Sequence, residues 1–268
     1  MKKTAISLAL GAALMTTVAT NASAALFADV AFVVDQSGSM GDEYTWLANS
    51  ISAINTQLLA GGVTARYGLA GYEYYAGNEA GAPSYSKYVN FTSNISDITN
   101  AIVPNNLYGG TERGYHAADW ARTGFSWSTN ASKIIILITD ENADQGSGIT
   151  EAALGANMTA GSYLLNVIAP LSLKYQWDQA AYSVADGPDA DSDLDYLGFF
   201  DLGFLNSNPT QFTIDFTTAK LQEIIDFCVA NPTAPQCQGG NVPEPGSLAL
   251  LGLGLAGLAG LRRREKKA

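Results

Sequence analysis

Six consecutive residues, Asp35-Gln36-Ser37-Gly38-Ser39-Met40, set one carboxylate and two hydroxyls at i, i+2 and i+4, with Gly38 expected to allow a tight turn. Three hard oxygens at this spacing can face one point. Mg²⁺ takes an octahedron of oxygens at roughly 2.0–2.1 Å and usually keeps some of its waters, so few charges and several neutral hydroxyls suit it; Mn²⁺ accepts oxygen donors too. Two more donors of this kind stand elsewhere in the chain: Asp140, in Thr139-Asp140, and Thr111, in Gly109-Gly110-Thr111-Glu112. A plainer use is open to the same side chains. Ser37 and Ser39 could cap the helix that follows them, and Asp140 the next one.

Both aspartates sit where a buried strand should end. Val30-Ala31-Phe32-Val33-Val34 and Ile134-Ile135-Ile136-Leu137-Ile138 are wholly apolar, as strands covered on both faces of a parallel sheet must be. Between them, Leu47, Ile51, Ile54 and Leu58 recur at helical spacing before a Gly61-Gly62 stop. Residues 65–73 and 85–91, divided by a turn-rich segment, read as a strand pair with an antiparallel edge. A helix is expected after Thr111, carrying Tyr115, Ala118 and Arg122 on one face. Further along come a helix near 149–160, a strand Tyr163–Ala169, a long irregular stretch to about 210, a strand Phe212–Phe216, and a helix carrying Leu221, Ile224, Ile225 and Cys228. Such alternation predicts an α/β fold: a doubly wound, mostly parallel sheet with helices on both faces and one antiparallel edge strand. In sheets of this kind ligands sit beyond the carboxyl ends of the strands, so Asp35 and Asp140 are expected to share one site.

Composition narrows the function. The 268 residues are 47% apolar and 15% charged, which is globular. Seven of the 14 basic residues lie at the two ends, and the body between them carries 7 basic against 23 acidic residues. A body of net charge −16 repels nucleic acid and suits divalent cations. Enzyme signatures are missing: Gly38-Ser39-Met40-Gly41 is not a G-x-S-x-G elbow, no G-x-x-x-x-G-K loop exists, and the single histidine, His116, falls on an expected helix where packing is its natural role. The expected protein is therefore not an enzyme. Aspartates at every second position, Asp189, Asp191, Asp193 and Asp195, leave a weak Ca²⁺ loop open beside the simpler reading of a solvated acidic segment; Leu194 stands where an EF-hand needs Gly, and no Glu follows at the twelfth position.

The two ends read as addresses. Residues 1–24 run from Lys2-Lys3 through an apolar stretch to Asn21-Ala22-Ser23-Ala24, the pattern of a secretory signal peptide with an A-x-A site for signal peptidase. In an oxidising compartment Cys228 and Cys237 most simply form one disulfide. Residues 242–268 contain Val242-Pro243-Glu244-Pro245-Gly246, then sixteen uncharged residues from 246 to 261, then Arg262-Arg263-Arg264-Glu265-Lys266-Lys267. At 1.5 Å per residue that span is about 24 Å, short of the roughly 30 Å of a hydrocarbon core. A short transmembrane segment is expected there, with the basic cluster in the cytoplasm. The three-part segment, with Pro243, Glu244 and Pro245 as its motif, resembles the PEP-CTERM sorting signal. The resemblance implies recognition by an exosortase, a transient stay in the inner membrane of a Gram-negative bacterium, and delivery to the cell surface or an extracellular exopolysaccharide matrix.

The body resembles the von Willebrand factor type A (VWA) domain, a Rossmann-like fold whose metal-ion-dependent adhesion site (MIDAS) uses Asp-x-Ser-x-Ser, a separate Thr and a separate Asp. Here those residues are Asp35, Ser37, Ser39, Thr111 and Asp140. The resemblance implies that Ser37, Ser39 and Thr111 touch the metal directly while the carboxylates act partly through water. It also implies an open position for an acidic protein or polysaccharide ligand. The expected organisation is a signal peptide 1–24, a VWA domain 25–231 with an insertion at about 172–210, a linker 232–241 and the sorting signal 242–268. The expected function is a surface-sorted protein that binds a carboxylate-bearing partner through Mg²⁺ (or Mn²⁺). The rival is a structural matrix protein in which the metal only stabilises.

Overall fold

A computed structural model describes residues 26–73, 84–102, 113–143, 148–178, 182–183, 187–188 and 198–237. The expected signal peptide, Thr111, the Asp189–Asp195 run and the sorting segment lie outside the described residues. In chain order the elements are β1 (Leu26–Asp35), α1 (Gly41–Ala60), β2 (Val63–Glu73), β3 (Ser84–Thr92), α2 (Ile95–Ala101), α3 (Gly114–Gly124), β4 (Ser132–Ile138), α4 (Glu151–Gly161) and β5 (Tyr163–Ala169). A 3₁₀ turn (Leu171–Gln176) follows, then the two-residue strands β6 (Tyr182–Ser183) and β7 (Gly187–Pro188), β8 (Phe199–Asp201), α5 (Leu202–Ser207), α6 (Pro209–Ala230) and a second 3₁₀ turn (Pro235–Cys237).

The main sheet has strand order β3-β2-β1-β4-β5-β8, all parallel except β3, which runs antiparallel to β2 at the edge. Alternation along the two central strands divides the interior. Val30, Phe32 and Val34 join Ile134, Ile136 and Ile138 in one core against α1 and α6; Ala31 and Val33 join Ile135 and Leu137 in the other, against Ala117, Ala118 and Ala121 of α3 and Leu154 and Met158 of α4. Each central strand is therefore apolar at every position because both of its faces are covered. The chain turns out of α1 through Gly61 and Gly62, the latter at φ +85°, a left-handed backbone that glycine adopts without steric cost.

Two expectations are corrected. Phe212–Phe216 is not a strand but the first turns of α6. Pro209 starts that helix, and Phe212, Phe216, Lys220 and Ile224 follow at i+4 on its buried side. Phe212 and Phe216 stack at 5.9 Å, Trp46 meets both edge-on, and the hydroxyls of Thr213 and Thr217 donate to the carbonyls of Pro209 and Thr213. The stretch from 171 to 210 is also not irregular throughout, since β8 extends the sheet beyond β5 and α5 leads into α6. The disulfide joins Cys228 in α6 to Cys237 in the final turn, and both are buried. Among the described residues no helix is long and apolar enough to cross a membrane.

Candidate metal centre

Strand order reverses at β1 and β4: β2 lies outside β1 on one side, and β5 outside β4 on the other. Their carboxyl ends, in register with Val34 opposite Ile138, therefore open the crevice where doubly wound sheets hold ligands. The loop leaving β1 is pinned at once. The Gln36 amide N–H donates to the Tyr72 carbonyl, and the Gln36 side chain lies across Gly71, where an added Cβ would meet it at 2.5 Å. Glycine at 71 is what lets that side chain lie flat on β2.

Asp35 is wholly buried. One carboxylate oxygen accepts from the Ser37 amide at 2.7 Å and the other from the Thr139 hydroxyl at 2.8 Å, so the carboxylate ties β1 to the tip of β4. Burial pushes its pKa up to about 7; the bonds from Ser37 and Thr139 hold it down in part, and the charge of Asp140 adds to the rise. Beside it, the Ser37 and Ser39 hydroxyls lie 3.0 Å apart, and the Ser37 hydroxyl donates to Asp140 at 3.5 Å. Gly38 and Ser39 are exposed and Asp140 is half-buried. The cluster is closed at Asp35 and open to water on the Ser39 side.

The capping alternative does not hold. Met40 stands at the N-terminus of α1 with no side-chain capping bond, and Thr150 caps α4 by accepting from the Ala153 amide. The hydroxyls of Ser37 and Ser39 are thus turned to each other, and that of Ser37 also to Asp140, instead of to a helix end. Gly38 is also less constrained than expected: its φ is not left-handed, and an added Cβ would meet nothing within 4 Å.

Two further residues lie at the site without having been singled out in the sequence. Thr139 orients Asp35 and accepts from the Glu141 amide at 3.1 Å. Its signal was its place at the end of the apolar run, next to Asp140. Glu43, in the first turn of α1, is buried, accepts from the Asn206 amide group at 3.0 Å, and is held above the ordinary carboxylate range by burial, with Asp140 adding to the rise.

The donor set fits a hard divalent cation. It offers oxygen alone, two carboxylates on adjacent strands whose mutual repulsion a cation would relieve, and two adjacent hydroxyls. Among the described residues no three His, Cys, Asp or Glu side chains gather as a metal cluster, so the fit rests on the hydroxyls as much as on the carboxylates. His116 accepts from the Gly148 amide and is held below its ordinary pKa by burial, with Arg113 adding to the effect, as a packed neutral histidine should be.

A model of the von Willebrand factor type A domain matches residues 29–189, more than half of the chain. The chain belongs to the VWA family. A second model, the PEP-CTERM protein-sorting motif, matches residues 241–264. Among solved structures, the VWA chain is similar to proximal thread matrix protein 1 from the mussel byssus with a zinc-occupied MIDAS motif, at TM-score 0.54 and 16% identity, covering 74% of this chain and 47% of that one. Another structure of the same mussel protein gives TM-score 0.49 and 15% identity over 75% of this chain and 48% of that one. The chain thus spans about half the length of the solved structures it matches. No curated protein sequence matches it. Both the family and the sheet order agree with the α/β architecture expected from the sequence.

Proposed function

We propose that this VWA protein is exported, sorted by an exosortase to the cell surface or extracellular matrix, and binds a carboxylate-bearing partner through a divalent cation held by Asp35, Ser37, Ser39, Asp140 and Thr111. The observation that carries the reading is the convergence of Asp35, Ser37, Ser39 and Asp140 at the switch point, with both serines released from capping. Asp35, fixed by Ser37 and Thr139, holds the loop; Ser37 and Ser39 present hydroxyls; Asp140 supplies the second charge. When bound, the cation would supply a Lewis-acidic position for an acidic group that the strongly acidic body would otherwise repel. Mg²⁺ is the first choice for an oxygen-only set and Mn²⁺ the second; the mussel matrix protein described with zinc in its MIDAS motif makes Zn²⁺ the third ion to test. Ca²⁺ at Asp189, Asp191, Asp193 and Asp195 remains a separate, weaker proposal.

The rival reading, a matrix protein braced by its metal, is favoured by the full burial of Asp35 and its tie to β4. One experiment separates the two. Protein loaded with Mg²⁺ is passed over immobilised polyglutamate and polygalacturonate, then EDTA is added while the far-ultraviolet circular dichroism is followed. Retention that EDTA abolishes without loss of fold supports adhesion. No retention, together with a melting temperature that falls on chelation, supports the brace.

A further inference from the structure

On the opposite side of β5 from α3 and α4, three buried polar side chains meet beside the rings of Phe200 and Phe216. Asn166 of β5, Lys220 and Glu223 of α6 are 0%, 2% and 1% exposed. The Lys220 ammonium donates to Glu223 at 2.6 Å and to the Asn166 carboxamide oxygen; the Asn166 amide nitrogen donates to Glu223 at 3.2 Å. The rings of Phe200 and Phe216 lie 5.1 and 6.0 Å from the Lys220 nitrogen. An ion pair sealed among aromatic rings is a poor way to gain stability, because removing both charges from water costs about as much as their attraction returns. The arrangement has a different competence: an amine, a carboxamide and a carboxyl group that touches both.

We propose that Lys220 and Asn166 join in an intramolecular isopeptide bond, with Glu223 as the proton carrier. Inside the apolar pocket Lys220 passes one proton to Glu223, leaving a neutral amine and a neutral carboxylic acid; burial lowers the pKa of the lysine and raises that of the glutamate, which favours this transfer. The amine nitrogen attacks the Asn166 side-chain carbonyl carbon, and a C–N bond forms. Glu223 gives its proton to the Asn166 amide nitrogen and takes one from the attacking nitrogen. The old C–N bond breaks, ammonia leaves, and the carbonyl reforms. Nothing is oxidised or reduced, and no co-reactant is consumed. The geometry fits each role, since the carbonyl oxygen faces the amine while the leaving nitrogen faces the acid.

The bond would tie β5, inside the sheet, to α6, the helix that precedes the sorting motif and is itself closed by the Cys228–Cys237 disulfide. A pull on the C-terminal end would then reach the sheet through covalent links before α6 could peel away.

The test is mass spectrometry on the purified full chain after reduction and proteolysis. The expected result is a branched peptide that joins the segment containing Asn166 to the segment containing Lys220, lighter than their sum by one ammonia. Asn166→Asp should give the same branch with loss of one water, and Glu223→Gln should give the two segments separately. Folded wild-type protein that yields both segments unlinked and at their unmodified masses overturns the proposal whatever the variants do; a branch that persists in Glu223→Gln overturns the role of Glu223.

Discussion

The molecule holds two clusters of charged and polar side chains, and they are built on opposite terms. Around Asp35 and Asp140 the described residues bring together like charges and hydroxyls, open to water at Ser39. Around Lys220 the charges are opposite, every member is buried, and aromatic rings close the pocket. On the proposed function the first cluster would be completed by a cation from solution; the second satisfies itself. Placement explains the contrast. Loops beyond strand ends can be rebuilt without disturbing the core, whereas a helix packed on a sheet must resolve its polar groups internally.

If that contrast is right, changes in one cluster should move stability and changes in the other should move metal affinity. The largest stability effect is expected from Lys220→Met, which takes away the amine that meets both Asn166 and Glu223, and with it any covalent tie to β5, and should cost at least about 3–5 kcal/mol in urea unfolding. Mg²⁺ affinity of the folded fraction should not change. Replacing Cys228 and Cys237 together by Ser should cost about 2–3 kcal/mol in the same assay, again with Mg²⁺ binding intact. Thr139→Val stands between the clusters in character. It removes one hydrogen bond to a buried carboxylate, so about 1–3 kcal/mol is expected. It should also weaken Mg²⁺ by about 10-fold, because an oriented ligand loses its support. Smallest of all is Gly38→Ala, expected within about 0.5 kcal/mol of wild type with unchanged Mg²⁺ affinity, because its backbone is not left-handed and a methyl group finds open space. A large loss there would show that metal binding requires a backbone conformation at residue 38 that only glycine reaches.

Much of this was legible in the sequence, and the exceptions have physical causes. The strands at 30–34 and 134–138 announced themselves because two covered faces demand uninterrupted apolar residues, and the aspartates that end them pointed to the candidate site. Phe212–Phe216 misled because Phe, Thr and Ile favour strands locally; the i+4 row of Phe212, Phe216 and Lys220 becomes readable only once Lys220 is known to face inward. β8 is three residues long, too short to show any period. Thr139 and Glu43 were invisible as site residues because their work is done across strands and helices, through Asp35 and Asn206. The buried triad escaped for the same reason, since Asn166 and Lys220 are 54 residues apart.

Isothermal titration calorimetry with Mg²⁺ on wild type, Ser37→Ala, Thr111→Ala and Asp140→Ala, paired with thermal melts in EDTA, tests the metal centre most directly. Each variant would remove one oxygen from the proposed Mg²⁺ octahedron, yet none lies in the apolar strand runs that hold the core. The account predicts that the wild type binds Mg²⁺, that all three variants lose that binding, and that their melts in EDTA stay close to that of the wild type. Unchanged Mg²⁺ affinity in the three variants would contradict it.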